Sequence, residues 1–257
     1  MKKNYHIGTG YIMYPVIFLL FIAMPVVRAQ SLRVEPMNWW VGMKNQQLQL
    51  LVYGEGIGSS TPVLSYPGVK LEKVHKAESP DYLFLDLRIM GGTKPGNMVI
   101  KFNKQGKTIS TYNYLLASRN KDRAAVKGFS SSDVIYLITP DRFANGDPSN
   151  DVVEGMREQR INRTNDYGRH GGDIRGMINN LDYIASMGFT AIWPTPLLEN
   201  DMPNASYHGY AITDFYKVDP RFGTLEEYKE LADKARQKGL KLIFDGVVNH
   251  SGSKYWW

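Results

Sequence analysis

The sequence predicts a small β-sandwich followed by alternating β and α segments that build a parallel sheet. Three observations carry this prediction. Residues 31 to about 126 read as short β segments cut by turn formers. From Asp133 onward apolar strands alternate with amphipathic helices, and the connections from strand to helix there are long and polar.

The 257 residues are enough for two domains of ordinary size. Hydrophobic residues make up 43% and charged residues 22%, close to the globular average, which excludes fibrous and disordered classes. The net charge is +6, but Lys2, Lys3 and Arg28 lie in an N-terminal stretch without acids, so the remainder carries +3 (6 minus 3). That is too little for a nucleic-acid footprint. The absence of cysteine removes disulfides, thiolate zinc sites and cysteine nucleophiles together.

Lys2 and Lys3 precede an apolar run from Tyr11 to Val27, interrupted by Pro15 and Pro25, and Val27-Arg28-Ala29 supplies a small-x-small pattern. A signal peptide over residues 1–29 is expected, with Gln30 as the mature N-terminus and a periplasmic or secreted product. An uncleaved anchor fits less well, because the run falls short of the roughly 20 residues a span needs.

In the first half, β segments are expected at Gln46 to Tyr53, Tyr82 to Ile89, Met98 to Phe102 and Thr108 to Leu115, separated by turn formers such as Pro67-Gly68 and Gly91-Gly92. Leu48, Leu50 and Val52 alternate with Gln47 and Gln49, the period of a strand with one buried face. Leu51 and Tyr53 break the alternation, which suggests cover on both sides at the far end. Trp39 and Trp40 have two readings, a sugar-stacking platform or one core and one interface residue.

In the second half, Val134 to Ile138 reads as a strand buried on both faces. Asp173 to Met187 reads as one helix with Ile174, Met177, Leu181, Ile184 and Ala185 on a stripe and Gly188 just past its end. A short strand, Thr190 to Trp193, follows. Thr224 and Glu227 form a capping box for a helix with Tyr228, Leu231, Ala232 and Ala235 inward, stopped by Gly239, before a third strand from Leu240 to Phe244. Alternation of this kind implies right-handed βαβ units.

The connections from about Thr139 to Gly172 and from Pro194 to Gly223 are far longer than such loops need. Loops at the C-terminal ends of parallel strands are where a barrel builds its active site. Asp141, Asn145, Asp147, Asn150, Asp151, His170 and Asp173 crowd the first, and His208, Tyr210 and Asp214 the second. Asp245, Asn249 and His250 follow the third strand. Asn145, Asp147, Asn150 and Asp151 place four oxygen-bearing side chains within seven residues. Such a set suits calcium better than zinc; the competing reading is an Asp/Asn-rich turn bonded to its own backbone.

DRFANGDPSND (Asp141 to Asp151), HGGDIRG (His170 to Gly176), SYHGYAITDFYKVDPRFGT (Ser206 to Thr224) and DGVVNH (Asp245 to His250) together resemble the α-amylase superfamily, glycoside hydrolase family 13. Within it the sequence is most similar to the neopullulanase and cyclomaltodextrinase group, and NWWVGMKNQQLQLLVYG (Asn38 to Gly54) looks like the opening of that group's N-terminal domain. The resemblance implies an immunoglobulin-like β-sandwich over residues 30–126 and the first three βα units of a (β/α)8 TIM barrel over 127–257.

It further implies calcium held by Asn145, Asp147, Asn150, Asp151, Asp173 and the backbone oxygen of Gly171. His208, Tyr210 and His250 are implied as substrate-binding residues, with Tyr210 as the stacking platform, and for each histidine the alternative is a structural hydrogen bond. Asp245 and Asn249 are implied as structural residues near the site. The substrates implied are maltooligosaccharides, cyclodextrins or pullulan, cleaved at α-1,4 bonds with retention, and a homodimer through the N-terminal domain stays open.

Retaining glycosidases need two carboxyl groups roughly 5 Å apart, and the family places its catalytic carboxylates after strands four, five and seven. The last residue of this sequence, Trp257, comes just after the third strand, so the resemblance implies that the nucleophile and the acid/base lie beyond Trp257. The expectation is therefore an N-terminal fragment of an α-glucan hydrolase, with no catalytic residue of its own and inactive as given. The alternatives from other classes are a non-catalytic starch-binding protein and a scaffold domain without sugar affinity.

Overall fold

A computed structural model describes residues 32–119 and 128–257. The expected signal peptide with its Ala29/Gln30 cleavage point, and the 126/127 domain boundary, lie outside the described residues.

Eight strands form the first unit: β1 (Arg33–Glu35), β2 (Asn38–Trp40), β3 (Gln47–Tyr53), β4 (Thr61–Leu64), β5 (Val69–Lys76), β6 (Tyr82–Ile89), β7 (Gly96–Lys104) and β8 (Lys107–Ala117). They make two four-stranded sheets, in the orders β1-β3-β6-β5 and β2-β8-β7-β4. The alternation read in β3 recurs in β6 and β7, so Leu48, Leu50 and Val52, Leu83, Leu85 and Leu87, and Met98, Ile100 and Phe102 all enter one core, joined by Tyr114 and Leu116 of β8. The expected β-sandwich is present. Leu51 is buried as well but Tyr53 is 37% exposed, so cover on both sides reaches Leu51 and not the end of β3.

The adjacent tryptophans divide as the pleat requires: Trp39 packs against the core, and Trp40 is 41% exposed on the other face. They are a core residue and a surface residue, not a paired platform. β5 escaped the sequence reading because Lys70, Glu72, Lys73 and Lys76 interrupt its apolar residues and its register with β6 shifts between Leu71 and Lys73.

The second unit contains β9 (Ile135–Ile138), α1 (Pro140–Phe143), α2 (Ile174–Asn179), α3 (Leu181–Ser186), β10 (Ala191–Pro194), β11 (Leu198–Glu199), β12 (Asp214–Val218), α4 (Leu225–Gln237) and β13 (Lys241–Leu242). Both β9 and β13 pair parallel with β10, the arrangement that βαβ connections demand. Ile138, Ile174, Met177, Leu181, Ile184, Ile192, Phe222, Leu231, Ala235 and Leu240 form the core between helices and sheet.

Three expectations need correction. The helix predicted from Asp173 to Met187 is two helices, because Asn180 leaves helical geometry and its Nδ2 donates to the Gly176 carbonyl at 2.8 Å. The third strand is confined to Lys241–Leu242. The first strand is not buried on both faces: Ile135 is 43% and Leu137 57% exposed while Ile138 is buried, since the helices cover one side of the sheet only. The capping box of Thr224 and Glu227 is formed, with Thr224 Oγ1 accepting from Glu227 N at 3.1 Å and Glu227 Oε2 accepting from Thr224 N at 3.0 Å.

The two units meet at Arg33. Its guanidinium pairs with Asp214 at 2.8 Å and with Glu35 of its own strand, and lies 3.8 Å from the centroid of the Trp256 ring. Tyr53 adds a ring contact to Trp256 at 5.4 Å. A guanidinium stacked on an aromatic and pinned between two carboxylates fixes orientation more tightly than an exposed pair.

Candidate functional site

The first long loop is organised by Asp141, which is fully buried at the start of α1. One carboxylate oxygen accepts from His170 N at 2.8 Å and the other from Gly171 N at 3.2 Å. The same group pairs with Arg142 and lies 3.8 Å from the buried Arg169. Gly172 N donates to the Asp141 carbonyl at 3.0 Å, an approach so close that a Cβ at Gly172 would collide with backbone. Both ends of the loop are thus tied to one residue.

Asp173 closes the loop from the other side. Its carboxylate caps α2 by accepting from Gly176 N at 2.6 Å and reaches back to accept from Gly146 N and Asp147 N at 3.0 and 2.8 Å. Asn145 Nδ2 donates to Asp151 Oδ1 at 2.7 Å. Gly171 lies at φ +88° against this pair, and a Cβ there would run into Asp151 Oδ1. Asp147 accepts from the amide and hydroxyl of Ser149 at 3.0 and 2.6 Å, and these bonds hold its carboxyl below the usual range. Burial pushes the Asp151 carboxyl up.

Two acceptor oxygens of this loop are left over. Asn145 Oδ1 and Asn150 Oδ1 are buried without a hydrogen-bond partner, a costly condition unless something coordinates them. Among the described residues no three His, Cys, Asp or Glu side chains form a metal-sized group, so the candidate set is amide-rich. Orphaned amide oxygens beside a carboxylate fit a hard oxygen-seeking cation and do not fit zinc.

The residues singled out in the other loops converge. Tyr210 O–H donates to Asp245 Oδ2 at 3.0 Å, and Trp193 Nε1–H donates to the same oxygen at 3.0 Å. Tyr210 N donates to His208 Nδ1 at 2.9 Å, and the two rings stack with centroids 5.9 Å apart. His250 Nε2 sits 3.0 Å from the Tyr210 carbonyl, and its Nδ1 lies 3.2 Å from Asn249 Nδ2. His208, Tyr210, Asp245, Asn249 and His250, scattered along the sequence, therefore form one hydrogen-bonded patch beyond the C-terminal ends of β10 and β13. Asp245 is the one carboxylate among the described residues that hydrogen-bonds Tyr210 or His250.

Trp257, the position beyond which the catalytic pair is expected, is not hydrogen-bonded into this patch, although it lines a cavity together with Asn249 and His250. Its ring is 68% exposed and meets Tyr255 edge-on at 5.4 Å and Trp256 at 6.2 Å. These aromatics continue the cluster that Trp256 forms with Arg33, so Trp257 belongs with the junction to the β-sandwich and carries no group suited to acid, base or nucleophile.

Residues 33–120 match the family described as cyclomaltodextrinase, N-terminal, and residues 137–257 match the α-amylase catalytic domain family. Residues 137–257 belong to the α-amylase family. This α-amylase-family chain is 48% identical over 122 residues to a β/α-amylase of Paenibacillus polymyxa, covering 48% of this chain and 10% of that protein. It is 39% identical over 122 residues to neopullulanase 2 of Thermoactinomyces vulgaris, covering 48% and 20%. A periplasmic α-amylase of Escherichia coli is 34% identical over 149 residues, covering 54% and 22%. The chain thus spans 10 to 22% of the length of these relatives.

Sequence reasoning missed the charged layer beneath the patch of this α-amylase-family chain. Arg221 donates to Asp219 at 2.9 and 2.7 Å and to the backbone carbonyls of Glu158 and Asn200 at 3.0 and 2.8 Å. Burial alone would raise the Asp219 carboxyl, but Arg221 holds it below the ordinary range. Glu158 Oε2 accepts from Ser206 N at 2.8 Å, fixing the turn that leads into His208. Arg142 lies 3.9 Å from the centroid of the Tyr207 ring. Trp193 was also missed, since a tryptophan closing a strand reads as core.

Burial pushes the His208 imidazole below its ordinary value of 6.5, against the charge of Glu158. A depressed histidine favours folding fully above its unfolded pKa, and stability falls as pH drops below 6.5, because the unfolded chain takes up the proton first. NMR titration should place the His208 midpoint below 6.5, and His208→Gln should flatten the loss of stability on the acid side. A midpoint at or above the free value contradicts this environment.

Proposed function

We propose that this chain is the N-terminal portion of an exported α-glucan hydrolase that cleaves α-1,4-glucosidic bonds of maltooligosaccharides, cyclodextrins or pullulan with retention. The observation that carries the reading is the convergence of His208 and His250 on the backbone of Tyr210, whose hydroxyl is held by Asp245. The phenol of Tyr210, fixed at its hydroxyl and its backbone, offers a rigid face for the apolar side of a glucose ring. His208, whose Nδ1 accepts from Tyr210 N, offers its Nε2 to a hydroxyl of the same sugar, and His250, with its nitrogens at the Tyr210 carbonyl and Asn249, braces the platform from the other side. Export is supported by the periplasmic relative and by the charged, apolar and small-x-small segments of residues 1–29. Among the described residues no helix is long and apolar enough to cross a membrane.

Bond cleavage with retention needs a nucleophile and an acid/base about 5 Å apart. Asp245 is committed to two donors, and among the described residues no second carboxylate is bonded into the patch, so these residues bind and orient without supplying the pair. In this reading the pair belongs to barrel units beyond Trp257. The chain as given should bind maltoheptaose and leave it intact. In calorimetry, Tyr210→Ala should weaken that binding about tenfold, as loss of a central aromatic contact does. Absence of binding contradicts the glucan reading, and cleavage by the purified chain contradicts the assignment of roles.

Calcium is the metal we assign to the first loop, held by the side-chain oxygens of Asn145, Asn150 and Asp151 and the Gly171 carbonyl, with Asp147 and Asp173 completing the charge. It would draw the two ends of that loop together. Saturating calcium, at a hundred times its Kd, should stabilise the fold by about 2.7 kcal/mol, and Asn145→Ala or Asp151→Ala should remove the gain. Identical melting curves in calcium and in chelator would refute the site.

A further inference from the structure

Asp245 is reached by donors from two separate segments, and both use the same oxygen. Trp193 lies in β10, 38% exposed between buried Ile192 and Pro194, and its indole N–H meets Asp245 Oδ2 at 3.0 Å. Tyr210 meets that oxygen from the second loop, also at 3.0 Å.

The two ends of Tyr210 are held by different means. Its backbone is fixed between the histidines, the amide by His208 and the carbonyl by His250. Its ring stacks on that of His208, and its far end is held through its hydroxyl on Asp245. Asp245 stands past the end of β13, outside any strand, where a carboxylate is free to rotate unless a donor pins it. The indole N–H can only donate, and Trp193 is held in β10 by its pairing with Leu137 of β9, whereas Tyr210 and Asp245 lie outside any strand, so it is the strand-anchored member of the trio.

We propose that Trp193 is a positioning residue for substrate: through Asp245 it sets the plane of the Tyr210 ring against which a glucose residue stacks. This inference rests on the glucan reading for its purpose. Its structural part does not.

The structural part is read in the ligand-free chain. The indole 1H–15N resonance of Trp193, identified by its disappearance in W193F, should shift in D245N and in Y210F. A resonance indifferent to both overturns the coupling.

The positioning part is read by maltoheptaose binding in a double-mutant cycle of W193F and Y210F. Phenylalanine keeps a flat apolar ring at position 193 and removes only the N–H. W193F should weaken binding about five- to tenfold, the size of one ordinary hydrogen bond, with an unchanged melting curve. W193F/Y210F should be no weaker than Y210F alone, the non-additivity of residues acting in series. If the parent binds and W193F binds equally well, or if the two losses add, positioning is overturned while the glucan reading stands. If the parent does not bind, both fall.

Discussion

The buried carboxylate of Asp141 is the constraint on which the barrel segment depends. It accepts two backbone amides from the HGGD turn and faces two arginines. Each of those arginines reaches the second loop. Arg169 donates to Ser206 Oγ at 3.4 Å, and Arg142 stacks on Tyr207. One acid thereby joins the proposed calcium loop to the turn that presents His208 and Tyr210. The arrangement is held by desolvation: a buried charge without its partner is so costly that the loops can close in few other ways.

Beneath this the charged layer is balanced in a particular way. Burial lowers the Arg169 pKa, and the neighbouring Arg221 lowers it further, opposed by Asp219, Asp141 and Glu158. Arg169 Nε and Nη2 are left without hydrogen-bond partners, and Nη2 meets Asp141 only at ion-pair distance, 3.8 Å. Rigidity below and exposed hydrogen-bonding groups above is the division a sugar site needs, because hydroxyl recognition depends on donors and acceptors that do not move on binding. Arg33 extends the same principle to the β-sandwich, which it ties to Asp214 at the start of β12.

Much of this was legible in the sequence, for physical reasons that differ by element. The alternation in β3 and the capping box of α4 are local rules, and both are present. His208, Tyr210, Asp245 and His250 could be assigned roles because their motifs resemble the α-amylase superfamily; from the residues alone a structural hydrogen bond is the competing reading for each histidine. The break at Asn180 was not legible, since the apolar stripe runs through it and only the bond from Asn180 to the Gly176 carbonyl interrupts the helix. The buried arginines at 169 and 221 were not legible either, because isolated charges read as surface until their partners are in view. Trp193 carried a signal only once Asp245 was placed beside it.

Asp141→Asn in the full chain tests the central claim most directly. Asparagine keeps the shape and one accepting oxygen but removes the charge that faces Arg142 and Arg169, leaving Asp219 and Glu158 to oppose Arg169. The variant is predicted to lose about 3 kcal/mol of stability, the cost of breaking a buried pair, and to lose maltoheptaose binding with it although no residue of the patch has changed. A variant that melts and binds like the parent would show that the two loops are held together by something other than this carboxylate.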